Sequence, residues 1–403
     1  MATLIYKDWG LFHETFHLNQ MASPSFRPFE LDEQTVSVQE YIENALMALV
    51  HELSLPASEA HLSISLKRRA NPACCFINPI TGALDGGSRV ESMRTYSWPG
   101  KTLYEEWKFA VILRIMSILL DAIRTGQLIS KRDIYYIEPD FFRAQSIVNN
   151  IIDDLACTIG VNRGALNVEA AGKGLVAGNF RLIRESQVIL AAQSPTEDTL
   201  IPRLKNGDEI DISKIRWVMV IEKEAVFHRL ARSGYHIRAT AGEGILVTGK
   251  GYPDLSTRAF LHKLYDVAST RPTPLRFYAL TDGDPHGMAI MSTYKYGSVA
   301  QLHGNAQLSL PRLQWLGLRV SDIVAVPDEF GDKALCPLTK RDRNKILAML
   351  QNSPVWASDG PEPQWRVELQ RMLMLNFKAE IEVLYEHTGG LEGWIDRRMF
   401  RQE

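Results

Sequence analysis

The chain has 403 residues, 45% of them hydrophobic and 23% charged, the balance of a folded protein long enough for two or three domains. Its formal net charge of −2 at pH 7 excludes nucleic-acid binding through overall positive charge, so any such surface must be assembled locally. No apolar run reaches the roughly eighteen residues that span a bilayer, and the N-terminus lacks the basic, apolar, small-residue order of a secretory signal; an intracellular address and no membrane partner are expected.

Residues 1–35 are rich in Pro, Ser and aromatics without a period, and read as an arm to which no function is assigned. Residues 36–53 turn helical, with Tyr41, Leu46, Met47 and Val50 among the apolar positions. A core helix and a partner-docking helix both fit that pattern. Cys74 and Cys75, with Cys157 and Cys336, stand at no zinc spacing with the histidines, so reduced thiols and no structural zinc are expected. Several Gly and Pro over 71–101 read as a loop or linker.

A long helical pattern, Leu103–Arg124, stops at Thr125-Gly126. Ser130-Lys131-Arg132-Asp133 is a start signal, with Ser130 as N-cap and an acid placed well for the helix dipole, and Tyr135 and Tyr136 fall in the first two turns. Asp140 is expected to cap a further helix through Phe142, Ile147, Ile151 and Leu155. After Gly160 the period changes: Leu166-Asn167-Val168 reads as a strand, Gly172-Lys173-Gly174 as a turn and Phe180-Arg181-Leu182-Ile183 as a returning strand. Three helices followed by a basic hairpin is the winged-helix layout. Residues 186–215 read as a looser connection.

Trp217-Val218-Met219-Val220-Ile221, Gly244-Ile245-Leu246-Val247-Thr248 and Arg276-Phe277-Tyr278-Ala279-Leu280-Thr281 are apolar, β-branched runs of strand length, each followed by a helical pattern: 223–232, 255–267 and Pro285–Tyr296. Such a β-α-β-α-β-α unit collects ligands outside the carboxyl ends of its strands. Glu222 ends the first run, and Asp282-Gly283-Asp284 ends the third. Three carboxylates in one crevice make a hard-oxygen set suited to Mg²⁺. Glu at the first strand end and Asp-x-Asp at a later one resembles the Toprim metal-binding domain. The sheet is expected to continue through 300–326, and 339–384 reads as helical, including an apolar pattern over 368–385.

A tyrosine phenol has a pKa of about 10, so it attacks phosphate only when a cation stabilises the phenolate or a base takes its proton. Arg132 stands one helical turn before Tyr136, on the same face. Lys131-Arg132-Asp133-Ile134-Tyr135-Tyr136, Lys173-Gly174-Leu175-Val176-Ala177-Gly178-Asn179, Val220-Ile221-Glu222-Lys223, Thr248-Gly249-Lys250-Gly251, Asp282-Gly283-Asp284-Pro285-His286-Gly287 and Pro337-Leu338-Thr339-Lys340-Arg341-Asp342 follow one another in that order. Over roughly 103–385 the chain closely resembles the topoisomerase VI A-chain family, in its branch of eukaryotic meiotic recombination initiators.

The resemblance implies Tyr136 as nucleophile, Arg132 as its cationic neighbour, Glu222, Asp282 and Asp284 as metal ligands, and Lys173 as a DNA contact on the wing; relatives vary at Glu224. It implies Mg²⁺-dependent transesterification of double-stranded DNA in the nucleus by a homodimer, whose partners are meiotic accessory proteins and a topoisomerase VI B-like subunit. A topoisomerase VI-type enzyme that cuts and reseals with an ATPase partner is the alternative; neither Gly-Lys-Gly run in this chain fits a nucleotide P-loop. The expected fold is α/β and α+β multidomain: an arm and partner-docking helix over 1–100, a winged-helix domain over 101–190 and a Toprim (Rossmann-like) domain with a helical extension over 191–403.

Overall fold

A computed structural model describes residues 33–56, 61–69, 74–86, 92–168, 172–191, 198–205, 207–330 and 334–401. The arm expected over 1–35 lies almost wholly outside the described residues. Helix α1, Glu33–Ser54, buries Val38, Ile42 and Leu49 at helical spacing and leaves Met47, Val50 and Leu53 exposed.

Residues 71–101, expected as a loop or linker, contribute strands. β1 (Leu62–Lys67), β2 (Cys75–Ile77), β3 (Leu84–Gly86) and β4 (Met93–Trp98) form two antiparallel pairs, β1 with β4 and β2 with β3. The Gly and Pro punctuate short strands there. Alternate side chains Leu62, Ile64 and Leu66 of β1 are buried, the period of a half-covered strand.

Helices α2 (Leu103–Arg124), α3 (Lys131–Ile137), α4 (Pro139–Phe142) and α5 (Gln145–Ile159) follow. Asp140 does not cap a long helix. The chain breaks at Arg143, where φ is +63°, and α5 starts afresh after Ala144. Pro139 in the first turn suits the short α4, which periodicity cannot separate from its neighbour. α1, β1, β4 and α2 to α5 share one apolar cluster that runs to Val168.

The hairpin expected between Leu166 and Ile183 is not formed. Arg163–Leu166 is a 3-10 turn, and β5 (Leu175–Gly178) is buried at every residue, so it belongs inside a sheet and cannot be an exposed wing. β6 (Arg181–Arg184), β7 (Gln187–Ala191), β8 (Thr199–Leu200) and β9 (Glu209–Asp211) give structure to what read as a connection, with β6 paired to both β7 and β9.

The main sheet is built from β10 (Trp217–Ile221), α6 (Glu224–Arg232), α7 (Tyr235–Arg238), β11 (Gly244–Thr248), α8 (Leu255–Ser269), β12 (Arg276–Leu280), α9 (Pro285–Tyr296), β13 (Leu313–Gly317) and α10 (Val320–Ala325). Strand order is β13-β12-β10-β11-β5-β8; β10 to β13 are parallel, and β5 and β8 close one edge antiparallel. Alternation along β10 sends Val218 and Val220 to one face, against Phe260 and Met288, and Trp217, Met219 and Ile221 to the other, against Phe227 and Trp394. Both faces are covered, so the strands read as continuous apolar runs. β10 lies between β11 and β12, which makes its carboxyl end the point where the chain reverses direction across the sheet.

β14 (Leu335–Pro337), α11 (Lys340–Asn352), α12 (Pro363–Leu375), β15 (Phe377–Ala379) and α13 (Gly390–Arg401) complete the chain. The helix expected over 368–385 ends at Leu375, because Asn376 adopts the left-handed conformation, φ +59°. β15 then pairs with β14, and Ala379 bridges Gly283. Val38 to Val168 supply one apolar cluster and the residues from Leu175 onward the other two, but Cys75 and Leu84 join a cluster of the main sheet, so the apolar clusters do not divide the chain at a single point in sequence.

Candidate active site

The tyrosine helix α3 is braced at both ends. Ser130 and Asp133 form the reciprocal capping box, Gln145 Nε2 donates to the Lys131 carbonyl at 2.8 Å, and Lys131 Nζ pairs with Asp153 at 2.5 Å. At the far end Arg114 donates twice to one Glu138 oxygen, at 3.0 and 2.6 Å. Burial, with Arg163 nearby, pulls Lys131 down to about 8. Ile134 points into the core. Tyr135 packs against the same cluster, whereas Tyr136 is 68% exposed, with ring centroids 5.4 Å apart. Arg132 is exposed too, and no carboxylate engages it among the described residues. The pair is thus one inward and one outward tyrosine, and the outward one shares its face with a cation.

Glu222, Asp282 and Asp284 gather at the switch point of the sheet. The ladder between β10 and β12 continues through the Glu222 N–H to the Leu280 carbonyl, 3.1 Å, and then the Asp282 N–H donates to Glu222 Oε2 at 2.9 Å. Asp284 caps α9 through the Gly287 N–H, 2.6 Å. A side chain at Gly287 would place Cβ 2.5 Å from the Asp282 carbonyl oxygen and 2.8 Å from Glu222 Oε2; glycine lets the helix close on the carboxylates. Burial, with Asp282 beside it, pushes the Glu222 carboxyl up to about 8, and burial raises Asp282 as well.

Among the described residues no group of three or more His, Cys, Asp or Glu forms a ready metal cage. The carboxylates are turned to protein donors. Asp282 Oδ1 accepts from the Ile381 N–H at 2.9 Å, and Asp282 Oδ2 lies 3.1 Å from Lys223 Nζ. The donor chemistry nevertheless fits a hard divalent cation: two crowded acids, both raised by burial, are relieved by added positive charge at their free oxygens.

Lys173 stands beside this crevice, not on a wing. Its N–H donates to Asp254 at 2.8 Å and its Nζ to the Lys250 carbonyl at 3.0 Å, in the loop whose Gly251 N–H meets the Glu222 carbonyl. Lys250 in turn pairs with Glu224 at 2.8 Å. Sequence reading missed Lys223, Glu380 and Glu382, which meet at one point. The signal available was Glu380-Ile381-Glu382 alternation, obscured by reading the segment as helix. Tyr136 and Arg132 touch none of these residues among the described contacts.

A family model for the Toprim domain of the topoisomerase 6 A chain and Spo11 matches residues 217–390, and one described as type IIB DNA topoisomerase matches 107–168. The chain is 35% identical over 357 residues to the meiotic recombination protein rec12 of Schizosaccharomyces pombe, covering 88% of this chain and 93% of that one. It is 36% identical over 279 residues to the meiotic recombination protein SPO11 of Homo sapiens, 69% and 67% of the two chains. With the A chain of DNA topoisomerase 6 from Arabidopsis thaliana it shares 31% over 281 residues, 69% and 62%. The carboxylates at the switch point fall inside the first match and the tyrosine helix inside the second, and the chain belongs to the family of Spo11 and the topoisomerase 6 A chain.

Proposed function

We propose that this chain makes programmed double-strand breaks in meiotic DNA by transesterification. Tyr136 Oη attacks a backbone phosphate in line; the Oη–P bond forms, the bond from phosphorus to the 3′-oxygen breaks, and the proton lost by the phenol is balanced by one gained at the released 3′-hydroxyl. The DNA 5′ end remains on Tyr136 as a phosphotyrosyl ester. Arg132 stabilises the phenolate and the charge that builds on the phosphoryl oxygens. The observation that carries this reading is the outward Tyr136 beside Arg132, which no carboxylate engages among the described residues, in a chain that also holds crowded acids at a sheet switch point.

Toprim domains in general bind divalent metal, and we assign Mg²⁺ to Glu222, Asp282 and Asp284, where it would neutralise phosphate charge near the leaving oxygen. Lys173 offers a phosphate contact at the crevice rim. The helices α2, α3 and α5 with the β1–β4 ribbon serve as the winged-helix DNA-docking unit, and β5 onward as the Toprim unit. One nucleophile per chain and two strands to cut imply a two-fold homodimer on DNA, in the nucleus. A topoisomerase VI B-like partner docks on the outer face of α1, through Met47, Val50 and Leu53; Leu46 packs inward and is unsuited to that role.

The test is recovery of the chain covalently attached to DNA 5′ ends when it is supplied with Mg²⁺ and its partners. Attachment at 3′ ends, or breaks with no attached protein, would refute the mechanism. Relaxation of supercoiled DNA in the presence of an ATPase partner would favour the cut-and-reseal alternative.

A further inference from the structure

We infer that Lys223 is a positioning residue that holds Asp282 in reserve and is handed over to Glu380 and Glu382 when a divalent cation enters. The inference rests on the metal assignment just proposed.

Lys223 Nζ lies 3.1 Å from Asp282 Oδ2, 3.4 Å from Glu380 Oε2 and 2.6 Å from Glu382 Oε2. Three carboxylates from two distant segments meet on one ammonium. They differ in depth: the Asp282 side chain is 9% exposed, against 55% for Glu380 and 39% for Glu382. The lysine therefore bridges an inner acid and two outer ones. The shortest contact is to an outer acid, so the ammonium keeps a charge partner if Asp282 is taken from it.

Asp282 does not need Lys223 to hold its orientation, because the Ile381 N–H already fixes the other oxygen at 2.9 Å. Ile381 stands between Glu380 and Glu382, so the turn that anchors Asp282 also supplies the two receivers. A metal ion at Asp282 needs the oxygen that faces the ammonium, and two cations sharing it repel. A lysine stem, flexible and carrying a compact charge, can swing outward by rotamer change alone. Lys223 thus neutralises Asp282 while the metal is away and sets how tightly the metal binds when it arrives.

The measurement is Mn²⁺ binding to the purified full chain, read by electron paramagnetic resonance. Lys223→Met should bind Mn²⁺ about tenfold more tightly than wild type, as removal of a nearby positive charge requires, and Lys223→Arg should stay close to wild type. The double variant Glu380→Gln with Glu382→Gln should bind more weakly, because the ammonium then has only Asp282, and that weakening should vanish when Lys223→Met is added. Unchanged or weaker binding by Lys223→Met, with Asp282→Asn still abolishing it, would overturn the hand-over while leaving the metal site standing. Unchanged binding by Asp282→Asn would remove the metal assignment and the inference together. If Lys223→Met does not fold, the double glutamine variant decides, and wild-type affinity there overturns the proposal.

Discussion

Tyr136 and Glu222 sit in environments of opposite kind. The phenol stands in water on a helix of seven residues, braced from behind by Lys131–Asp153 and Arg114–Glu138, while the carboxylate is crowded between β10, β12 and α9 with a second acid against it. A nucleophile that must reach a large polyanion needs access and a rigid base. Acids that must hold a cation need confinement, which makes their charge costly until the cation is there. On the proposed assignment the two requirements conflict within one pocket, and the chain sets the tyrosine and the acids beside two separate apolar clusters.

The sharpest way to break this division is at the proposed nucleophile. Tyr136→Phe should reduce covalent DNA attachment at least about a thousandfold with DNA affinity unchanged, since a reacting oxygen is removed from an exposed position; Tyr135→Phe should retain cleavage, since it keeps the ring that packs on the apolar cluster and loses only a hydroxyl. Break formation by Tyr136→Phe, followed by end-labelling of attached protein, would end the assignment. Next in size, Glu222→Ala and Asp282→Ala should each lower cleavage about a hundredfold or more, with Asp284→Ala milder. Both variants should remain folded in a melting scan, because the relief of carboxylate crowding offsets the loss of the Asp282 N–H bond in Glu222→Ala and of the Ile381 N–H and Lys223 contacts in Asp282→Ala.

A mixed dimer of one Tyr136→Phe chain and one Glu222→Ala chain asks how the two regions combine. If each site takes its tyrosine from one chain and its acids from the other, one site carries both lesions and one is intact, so one strand is nicked. Sites complete within a chain would give no cleavage at all. The readout is the ratio of nicked to intact DNA from dimers shown to bind it.

A smaller effect concerns pH. Glu222 holds its proton more tightly folded, up to about 8, than the ordinary glutamate value of 4.5, so its contribution to stability is full below the ordinary value and is lost as pH rises through about 8. The metal-free chain should therefore melt a few degrees lower at alkaline than at mildly acidic pH, and Glu222→Gln should flatten that fall. A calorimetric scan in which both proteins respond alike would assign the pH dependence elsewhere. The smallest expected change is at the crevice rim: Lys173→Ala should weaken DNA binding alike on all sequences and lower the salt slope by about one unit. A changed sequence preference with an unchanged slope would mark a base contact.

Local chemistry alone determined much of this chain. The capping box at Ser130 and Asp133, the runs that became β10, β11 and β12, and the helices Leu103–Arg124 and Pro285–Tyr296 were legible because each depends on residues within a few positions of one another. The strand ends named Glu222 and Asp282 for the same reason. Tertiary structure decided the rest. Leu175–Gly178 lies between the expected turn at 172–174 and the expected returning strand at 180–183, yet it is itself a strand paired with β11, far along the chain, and all four of its residues are buried. The helix read over 368–385 yields at Asn376, where β15 can pair with β14 and bridge Gly283. That break carries Glu380 and Glu382 to Lys223, and no spacing rule spans the distance: hydrogen bonds and charges satisfied between remote segments leave no period in the sequence that makes them.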